Sequence, residues 1–383
     1  MFESLFQSFN ETADSSQSAA RIAGLRSALA RLHLDGFIVP RADRQQNEYV
    51  PPSEERLAWL TGFTGSAGIA VILKDRAVLF VDGRYTLQVR DQIDLSVITP
   101  LSIATTNPEK WLEQNLKPRQ KLGYDPWLHT PGQIERFEKA AAAADAELVA
   151  VSHNPIDAIW TDRPKPPQGK VSLHPLRVAG HSSAKKLARI AKALGSADAL
   201  FVSDPHAVAW AFNIRGKDVA HTPLPLAFAL VPKQGKARLY LDDAKLDEAT
   251  RKALTPLATI ADPQDIENDL SKSGRDKARI LFDAATVPVK LVTALKDAGG
   301  TADVGTDPIA LMKAAKNEAE LAGARDAQLR DGIAMVHFLH WFDREASKGK
   351  LTEIIAAQAL ETFRRQSHKL KDVSFPTISA AGP

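Results

Sequence analysis

Cysteine is absent from this chain of 383 residues. Without thiols the protein can form no disulfide, no thiolate zinc site and no cysteine nucleophile. A composition without cysteine suits a reducing compartment, and we expect the protein to be cytoplasmic.

A strong charge of either sign is also missing. The 49 lysines and arginines nearly balance the 46 aspartates and glutamates, and the formal net charge is +3. Because the two signs are interspersed along the chain, no basic patch for nucleic acid or for an anionic membrane is indicated. We therefore expect neither nucleic acid nor a membrane as a partner.

Long apolar runs are missing as well. The longest, at 67–73 and 225–232, have the length of a strand and are too short to cross a bilayer. Residues 1–17 have neither the basic start nor the continuous apolar stretch of a secretory signal, so we do not expect export. With 44% hydrophobic and 25% charged residues, the chain has the composition of a globular protein of two or three domains.

The first part of the sequence alternates between helical and strand patterns. Apolar residues at helical spacing predict a helix at 19–32, and a short apolar run predicts a strand at 36–40. Further strands are predicted at 67–73, 77–82, 95–99 and 147–151, with helices at 85–92 and 133–144. Alternation of this kind favours an α/β layered domain.

A proline-rich segment separates this pattern from a second copy of it. Three prolines between Trp160 and Pro167 block regular pairing and predict an extended linker at 160–168. Beyond it the same order of motifs recurs: Asp35–Val39 matches Asp198–Val202, Leu57–Leu60 matches Val208–Ala211, and Arg76–Asp82 matches Ala237–Asp242. We therefore predict two related α/β domains in tandem, at 1–159 and 169–307.

The last part of the sequence is helical. Residues 309–342 show apolar residues at helical spacing and predict one long helix, with Gly323 and Gly332 as the positions where it could break. A shorter helix is predicted at 352–365, with Thr352 as its cap. Two helices and a terminal stretch do not make a domain, so 308–383 is expected to be part of a larger unit.

No catalytic centre is recognisable in the sequence. The glycine-rich segment Thr61–Gly68 lacks the lysine of a phosphate loop, the spacing of a dinucleotide motif and the glycine that a nucleophile elbow needs at 64, so we predict a loop between helix and strand. His337 and His340 could share a helix face, but two ligands without a third are more typical of ordinary histidines.

One basic residue has two open interpretations. Arg84, in the motif Asp82–Tyr85, follows an apolar strand and precedes a helical pattern, so it should lie at the carboxyl end of a strand. That is where α/β sheets commonly present groups to ligands, and a guanidinium can hold a carboxylate or carbonyl. The alternative is a surface ion pair with Asp82.

Several motifs together resemble the Xaa-Pro aminopeptidase family. In order along the chain they are Thr61–Gly68, Asp82–Tyr85, Ile159–Pro164, Phe212–Val219, Lys313–Arg330 and Ser374–Ser379. The resemblance implies two creatinase-like α/β domains with mixed sheets, followed by a pita-bread catalytic domain of which 308–383 would be the incomplete, helical beginning. It also implies an enzyme that removes the N-terminal residue from peptides with proline in second position.

The resemblance carries over one site residue and places the others outside this chain. By matching position, Arg84 would be the family's peptide-contacting arginine. The family uses two metal ions, usually manganese, held by two aspartates, a histidine and two glutamates that follow the Ser374–Ser379 motif. We therefore expect no metal ligand in this chain, no specific binding of Mn²⁺ and no peptide hydrolysis by the chain alone.

The resemblance also bears on partners and leaves two alternatives. Xaa-Pro peptides are the implied substrates, and a homodimer is expected because members of the family often dimerise. One alternative is a non-catalytic module for peptide binding or dimerisation. The other is hydrolysis of a creatine-like small molecule, which the presence of two N-terminal domains makes the weaker interpretation.

Overall fold

The first half of the chain folds around a six-stranded mixed sheet. The structure is a computed structural model that describes residues 2–10 and 13–381. The strands are β1 (Gly36–Pro40), β2 (Gly68–Leu73), β3 (Ala77–Val81), β4 (Thr99–Ser102), β5 (Lys121–Tyr124) and β6 (Glu147–Ala150). Their order is β4-β3-β2-β1-β5-β6. Strand β2 runs antiparallel to both of its neighbours, and the other pairs are parallel.

The second half repeats this sheet. A small pair formed by β7 (Ser172–Leu173) and β9 (Ile214–Arg215) stands apart from it. The main strands are β8 (Ala199–Val202), β10 (Phe228–Pro232), β11 (Ala237–Tyr240), β12 (Ala258–Ala261), β13 (Arg279–Asp283) and β14 (Thr301–Gly305). Their order, β12-β11-β10-β8-β13-β14, matches the first sheet position by position. Here β10 is the strand that runs antiparallel to both neighbours.

Helices cover both sheets. Those of the first half are α1 (Ser18–Arg31), α2 (Arg56–Thr61), α3 (Gln88–Gln92), α4 (Pro108–Asn115), α5 (Pro131–Ala143) and α6 (Pro155–Ile159). Those of the second half are α7 (Leu176–Ala179), α8 (Ser183–Lys192), α9 (Pro205–Phe212), α10 (Glu248–Leu254), α11 (Ile266–Arg275) and α12 (Val289–Asp297). The stretch between α6 and β7, which holds the predicted linker, is described throughout and contains no helix or strand.

The predicted tandem repeat is confirmed down to single hydrogen bonds. Asp35 precedes β1, and its carboxylate accepts the backbone N–H of Lys121 at 2.7 Å. Asp198 precedes β8 and accepts the backbone N–H of Arg279 at the same distance. In each half this aspartate joins the start of the central strand to the start of its parallel neighbour. The same interaction therefore fixes the register of these two strands in both sheets.

Both faces of each sheet are buried, which explains why the strands appear in the sequence as continuous apolar runs. In β3 all five residues are buried, and alternate side chains enter different cores. Leu79 packs into the core on one side with Leu57 and Leu60, whereas Phe80 packs on the other side against Trp111.

The predicted long helix is two helices, and the predicted break positions were wrong. The chain forms α13 (Pro308–Ala314) and then α14 (Glu318–Ala346), which runs without interruption through both glycines. The break falls at Asn317, whose side chain accepts the N–H groups of Ala319 and Glu320 while Glu320 bonds back to the Asn317 N–H. This capping box starts a new helix and thereby ends the first. The last helix, α15 (Glu353–Arg365), begins after Thr352 as predicted.

The N-terminal segment packs against the last two helices. Glu361 on α15 is 1% exposed, and its carboxylate accepts the backbone N–H groups of Leu5 and Phe6 and the side-chain amide of Gln7. The Gln7 side chain also accepts the Thr377 N–H at 2.8 Å. Residues 2–10 therefore form an N-terminal strap across the helical part of the chain.

A predicted strand at 95–99 was also wrong. Asp94 accepts the N–H and the hydroxyl of Ser96, and its carbonyl accepts the N–H of Ile98. These local bonds hold a turn, so the strand begins only at Thr99.

The helices are too short or too polar for a lipid bilayer. Among the residues with a described structure, no helix combines the length and the apolar character that spanning a membrane requires.

Candidate functional site

Arg84 lies at the carboxyl end of a strand, as predicted. Strand β3 ends at Val81, and the side chain of Asp82 then accepts the Arg84 N–H at 2.9 Å. This bond closes a short 3₁₀ turn over Gly83–Tyr85, which ends the strand and turns the chain outward. The arginine is therefore presented at the edge where parallel strands of α/β sheets commonly meet their ligands.

The guanidinium of Arg84 pairs with Asp82 and stays accessible. Its Nη2 lies 2.5 Å from Asp82 Oδ2, and its Nε lies 3.0 Å from the same oxygen. This hydrogen bonding holds the pKa of the Asp82 carboxyl below its usual range. The Arg84 side chain is nevertheless 60% exposed, and its Nη1 has no partner among residues 2–10 and 13–381. The aspartate thus orients the fork, and one side of the fork remains free for a ligand.

Tyr85 connects Arg84 to the glycine-rich segment. The guanidinium carbon lies 5.0 Å from the centre of the Tyr85 ring. The Tyr85 hydroxyl is 2.8 Å from the hydroxyl of Ser66, which in turn donates to Glu48 at 3.2 Å. The predicted loop is therefore confirmed as a loop, and one of its residues borders the candidate site.

The glycine at the start of that loop has a structural role. Gly62 ends α2 in the left-handed conformation, with φ of +82°, and a Cβ there would meet the backbone carbonyl of Gln92 at 2.8 Å. Both the angle and the close approach require glycine. The backbone conformation at Gly62 therefore accounts for this glycine of the Thr61–Gly68 segment, and no bound phosphate or cofactor is needed to explain it.

A small cavity opens beside this site. It measures about 240 Å³ and is bordered by Arg41, Asp82 and the apolar side chains of Phe80 and Ile103. Arg41 is largely buried and pairs with Glu55 at 3.2 Å. The cavity lies at the same sheet edge as Arg84, since Asp82 belongs to both.

The second domain does not repeat the site. Asp242 follows β11 as Asp82 follows β3, and its carboxylate accepts the N–H of Ala244 at 2.9 Å. The turn is therefore the same, but alanine stands where the first domain has Arg84. The candidate site is thus confined to one of two otherwise matching sheet edges.

The histidines of the long helix do not form a metal site. His337 and His340 are both exposed on α14, and the ring of His337 stacks on Phe363 with centroids 6.3 Å apart. Within the described part of the chain, no three His, Cys, Asp or Glu side chains are grouped so that they could hold a metal ion.

Two matches to a domain family cover most of the chain. Two family models, each described as Creatinase/Prolidase N-terminal domain, match residues 21–159 and residues 162–320. These ranges correspond to the two repeated sheets. They define a protein of the creatinase and prolidase class with two N-terminal domains in tandem.

The full-length proteins to which this chain is similar carry aminopeptidase P names. Aminopeptidase P2 of Arabidopsis thaliana is 33% identical over an alignment that covers 91% of this chain and 54% of the plant protein. A probable Xaa-Pro aminopeptidase P of Neurospora crassa is 34% identical and covers 100% of this chain and 58% of the fungal protein. Over most of its length, this chain is a homologue of the Xaa-Pro aminopeptidases.

A solved structure extends the match to three dimensions. X-prolyl aminopeptidase from Caenorhabditis elegans, described as a cytosolic enzyme with a di-nuclear active site, matches with a TM-score of 0.86 at 27% identity. The match covers 95% of this chain and 62% of the nematode protein. The chain therefore spans a little more than half the length of the relatives it matches.

Proposed function

We propose that this chain is the peptide-binding part of a metal-dependent Xaa-Pro aminopeptidase, which releases the N-terminal residue from peptides that have proline in second position. The names of the relatives support this activity, and so does the repeated architecture that the chain shares with the nematode enzyme. The activity is proposed for the whole protein, because the chain matches only part of each relative.

The observation that supports a peptide-binding role most directly is the geometry of Arg84. Its guanidinium is accessible, held in one orientation by Asp82, and has free N–H groups on Nη1 within the described structure. A guanidinium held in this way can donate two parallel hydrogen bonds to a terminal carboxylate, or one to a peptide carbonyl. Arg84 is therefore the proposed substrate-binding residue.

The two metal ions of the family, proposed to be Mn²⁺, are proposed to bind outside this chain, which is supported by the described residues, where no three His, Cys, Asp or Glu side chains are grouped to hold an ion. Because the residues do not fit such a centre, we assign no step of hydrolysis to any of them. Two-metal hydrolysis needs the bridged ions to generate the attacking hydroxide. We therefore expect the purified chain to release no amino acid from an Xaa-Pro peptide, with or without added manganese, in a product assay by mass spectrometry.

Two further properties are proposed for the chain. It is cytoplasmic, which agrees with the absence of cysteine and with the cytosolic nematode relative. It also associates with a second copy, because α14 exposes an apolar row that includes Leu329, Ile333 and Val336. Light scattering of the chain over a range of concentrations tests the second proposal, and a mass that stays monomeric throughout would contradict it.

The test of the peptide site uses binding, so it does not depend on catalysis. We expect Ala-Pro-Ala to bind the chain, and Arg84→Ala to weaken its affinity by about tenfold or more, since a charge-assisted hydrogen bond contributes about 1.5–3 kcal/mol. Arg84→Lys should recover only part of the affinity, because a lysine lacks the fork.

The control for this test is another exposed arginine on the same sheet. Arg76 pairs with Asp75 and Asn115 at the turn between β2 and β3. Arg76→Ala should leave the affinity for Ala-Pro-Ala unchanged in isothermal titration calorimetry. Equal losses in Arg76→Ala and Arg84→Ala would indicate a general charge effect and contradict the assignment.

A further inference from the structure

A second cavity lies between the two α/β domains, away from Arg84. It measures about 640 Å³, which is the size of typical small-molecule sites. The second domain contributes Asp242 and Asp262, which follow the parallel strands β11 and β12. The first domain contributes Arg44 and Gln45 from the loop after β1, and the linker prolines close the remaining side.

The position of this interdomain cleft follows from the repeat. In the first domain, the 240 Å³ cavity beside Arg84 also lies between the start of β2 and the ends of β3 and β4. The interdomain cleft lies at the matching edge of the second sheet, between the start of β10 and the ends of β11 and β12. The carboxyl edges of such sheets are the usual places for ligands.

Two polar side chains that border this cleft have no hydrogen-bonding partner within the described structure. Gln45 is 7% exposed, and its backbone N–H donates to Asp43 at 3.0 Å. Its side-chain amide, in contrast, makes no hydrogen bond within the described structure. The hydroxyl of Ser53, which also borders the cleft, is buried without a partner among the same residues. Native proteins satisfy nearly all buried polar groups, so the Ser53 hydroxyl indicates a missing partner, and the Gln45 amide, which borders the cleft, is free to bond a ligand there.

The cleft also carries unpaired charges of both signs. Arg44 rests on the ring of Trp127 at 4.7 Å, and neither it nor Lys165 has a carboxylate within ion-pair distance in the described part of the chain. On the second domain, the carboxylates of Asp242 and Asp262 accept hydrogen bonds from amide groups alone within the described residues. The donors are Gln168 and Ala244 for Asp242, and Gln264 for Asp262. The other two cations of the cleft, Arg163 and Lys245, are already paired with carboxylates.

We propose that the interdomain cleft binds a short zwitterionic peptide, with a free ammonium group and a free carboxylate. The carboxylate pairs with Arg44 and Lys165, and the ammonium group pairs with Asp242 and Asp262. The peptide amide satisfies Gln45. Leu226, Phe228 and the prolines of the linker supply apolar walls for the side chains.

The loop that borders the cleft also reaches the Arg84 site. Arg44 and Gln45 face the cleft, while Glu48, three residues further on, accepts a hydrogen bond from Ser66 next to Tyr85. A ligand that orders this loop would therefore act on the surroundings of Arg84 from a separate site. The proposal goes beyond the peptidase assignment and does not require it.

The test is titration calorimetry of the chain with the dipeptide Leu-Leu, which has no proline. Leu-Leu amide and N-acetyl-Leu-Leu are matched probes that each lack one of the two charges. We expect saturable binding of Leu-Leu and at least about tenfold weaker binding of each capped probe, as the loss of a charged contact predicts. Absence of saturable binding, or equal affinity for all three probes, would overturn the proposal.

Two variants locate the binding. Gln45→Leu keeps the volume of the side chain and removes its amide, and Lys165→Ala removes an exposed linker cation that makes no hydrogen bond or ion pair in the described structure. Each should weaken Leu-Leu by about fivefold or more, whereas Arg76→Ala, at a residue that borders neither cavity, should leave it unchanged. Loss of Leu-Leu binding in Arg84→Ala, with both cleft variants unaffected, would place the dipeptide at Arg84 and sink the cleft proposal. Thermal melts of all four variants confirm that they are folded.

Discussion

Asn154 and Asp307 occupy the same position in the two repeated sheets. Each follows the last strand of its sheet, precedes a proline and caps the next helix by accepting a backbone N–H. The neighbours also match, since Asn154 donates its side-chain amide to Asp125 at 2.9 Å and the backbone N–H of Asp307 donates to Asp283 at 3.0 Å. The second domain thus has a carboxyl group beside an aspartate where the first has an amide.

This difference predicts that Asp307→Asn stabilises the protein at neutral pH. Burial, with Asp283 and Asp204 nearby, raises the pKa of Asp307 to about 6. Because the folded pKa lies above the unfolded one, the cost of ionising Asp307 is fully present above about pH 6 and disappears below the unfolded pKa of 3.8. We expect a gain of about 1–2 kcal/mol in the free energy of unfolding at about pH 7.5.

The pH dependence separates this effect from a general change in charge. Urea denaturation should show the gain from Asp307→Asn shrinking steadily as the pH falls from 6 towards 3.8. Asp297→Asn, an exposed change on the adjacent helix α12, should alter stability by less than about 0.5 kcal/mol at every pH. A gain that is independent of pH would contradict the assigned cause.

The repeat could be predicted from sequence because its strands are buried on both faces. Continuous apolar runs such as Phe37–Val39 and Leu200–Val202 stand out, and their aspartates Asp35 and Asp198 precede them at fixed spacing. The break before α14 was missed because the decisive interaction is a capping box, which places two polar residues inside an otherwise helical pattern. Glycine was expected to end the helix, but a glycine in an exposed helix costs only about 1 kcal/mol.

The candidate site was predictable only in part. Arg84 could be placed at a strand end because Asp82 and the apolar run before it are adjacent in sequence. Its neighbours Ser66 and Glu48 could not, because each reaches the site through a different loop. The position of Gln45 in the interdomain cleft could not be predicted from the sequence, because the burial of a glutamine there depends on how the two domains pack.

A second prediction compares alanine substitutions at two glycines, Gly62 at the end of α2 and Gly83 in the turn that holds Arg84. Gly62→Ala should destabilise the protein by about 1–3 kcal/mol, because a Cβ at φ of +82° is strained and would press on the Gln92 carbonyl. At Gly83, next to Arg84, the backbone is not left-handed, and an added methyl group would have no atom of the described chain beyond its immediate neighbours within 4 Å. Gly83→Ala should therefore change the melting temperature little, and equal losses from the two changes would refute this account of the loop.

Another prediction concerns the cap that separates α13 from α14. Asn317 caps α14 and also donates its side-chain amide to the carbonyl of Ala179 at 2.9 Å. Asn317→Ala should cost about 1–2 kcal/mol of unfolding free energy, since it removes a capping box and a tertiary hydrogen bond together. Asn317→Ser, which keeps a capping oxygen and loses the bond to Ala179 without setting a charge against that carbonyl, should cost less in the same denaturation experiment. A larger loss with serine than with alanine would show that the cap is not what stabilises this junction.

The N-terminal strap gives the last prediction. Glu361 is almost fully buried, and its carboxylate accepts hydrogen bonds from Leu5, Phe6 and Gln7. Deleting residues 2–10 should remove these hydrogen bonds together with the contact of Phe2 on Trp341, and we expect urea denaturation to show a loss of about 1–3 kcal/mol in the free energy of unfolding. Glu361→Ala should cost less in the deleted chain than in the intact chain, because the partners of the carboxylate are already gone.

The contact between the strap and Glu361 can also be tested in the intact chain by amide hydrogen exchange. Glu361→Ala should speed exchange at Leu5, Phe6 and Thr377, because the first two amides lose their acceptor and the third is held by Gln7, which Glu361 orients. Ile354→Ala, on the exposed side of α15, is the control and should leave these amides unchanged. Unchanged exchange in Glu361→Ala would mean that the strap is held by its other contacts, such as Phe2 on Trp341, and not by Glu361.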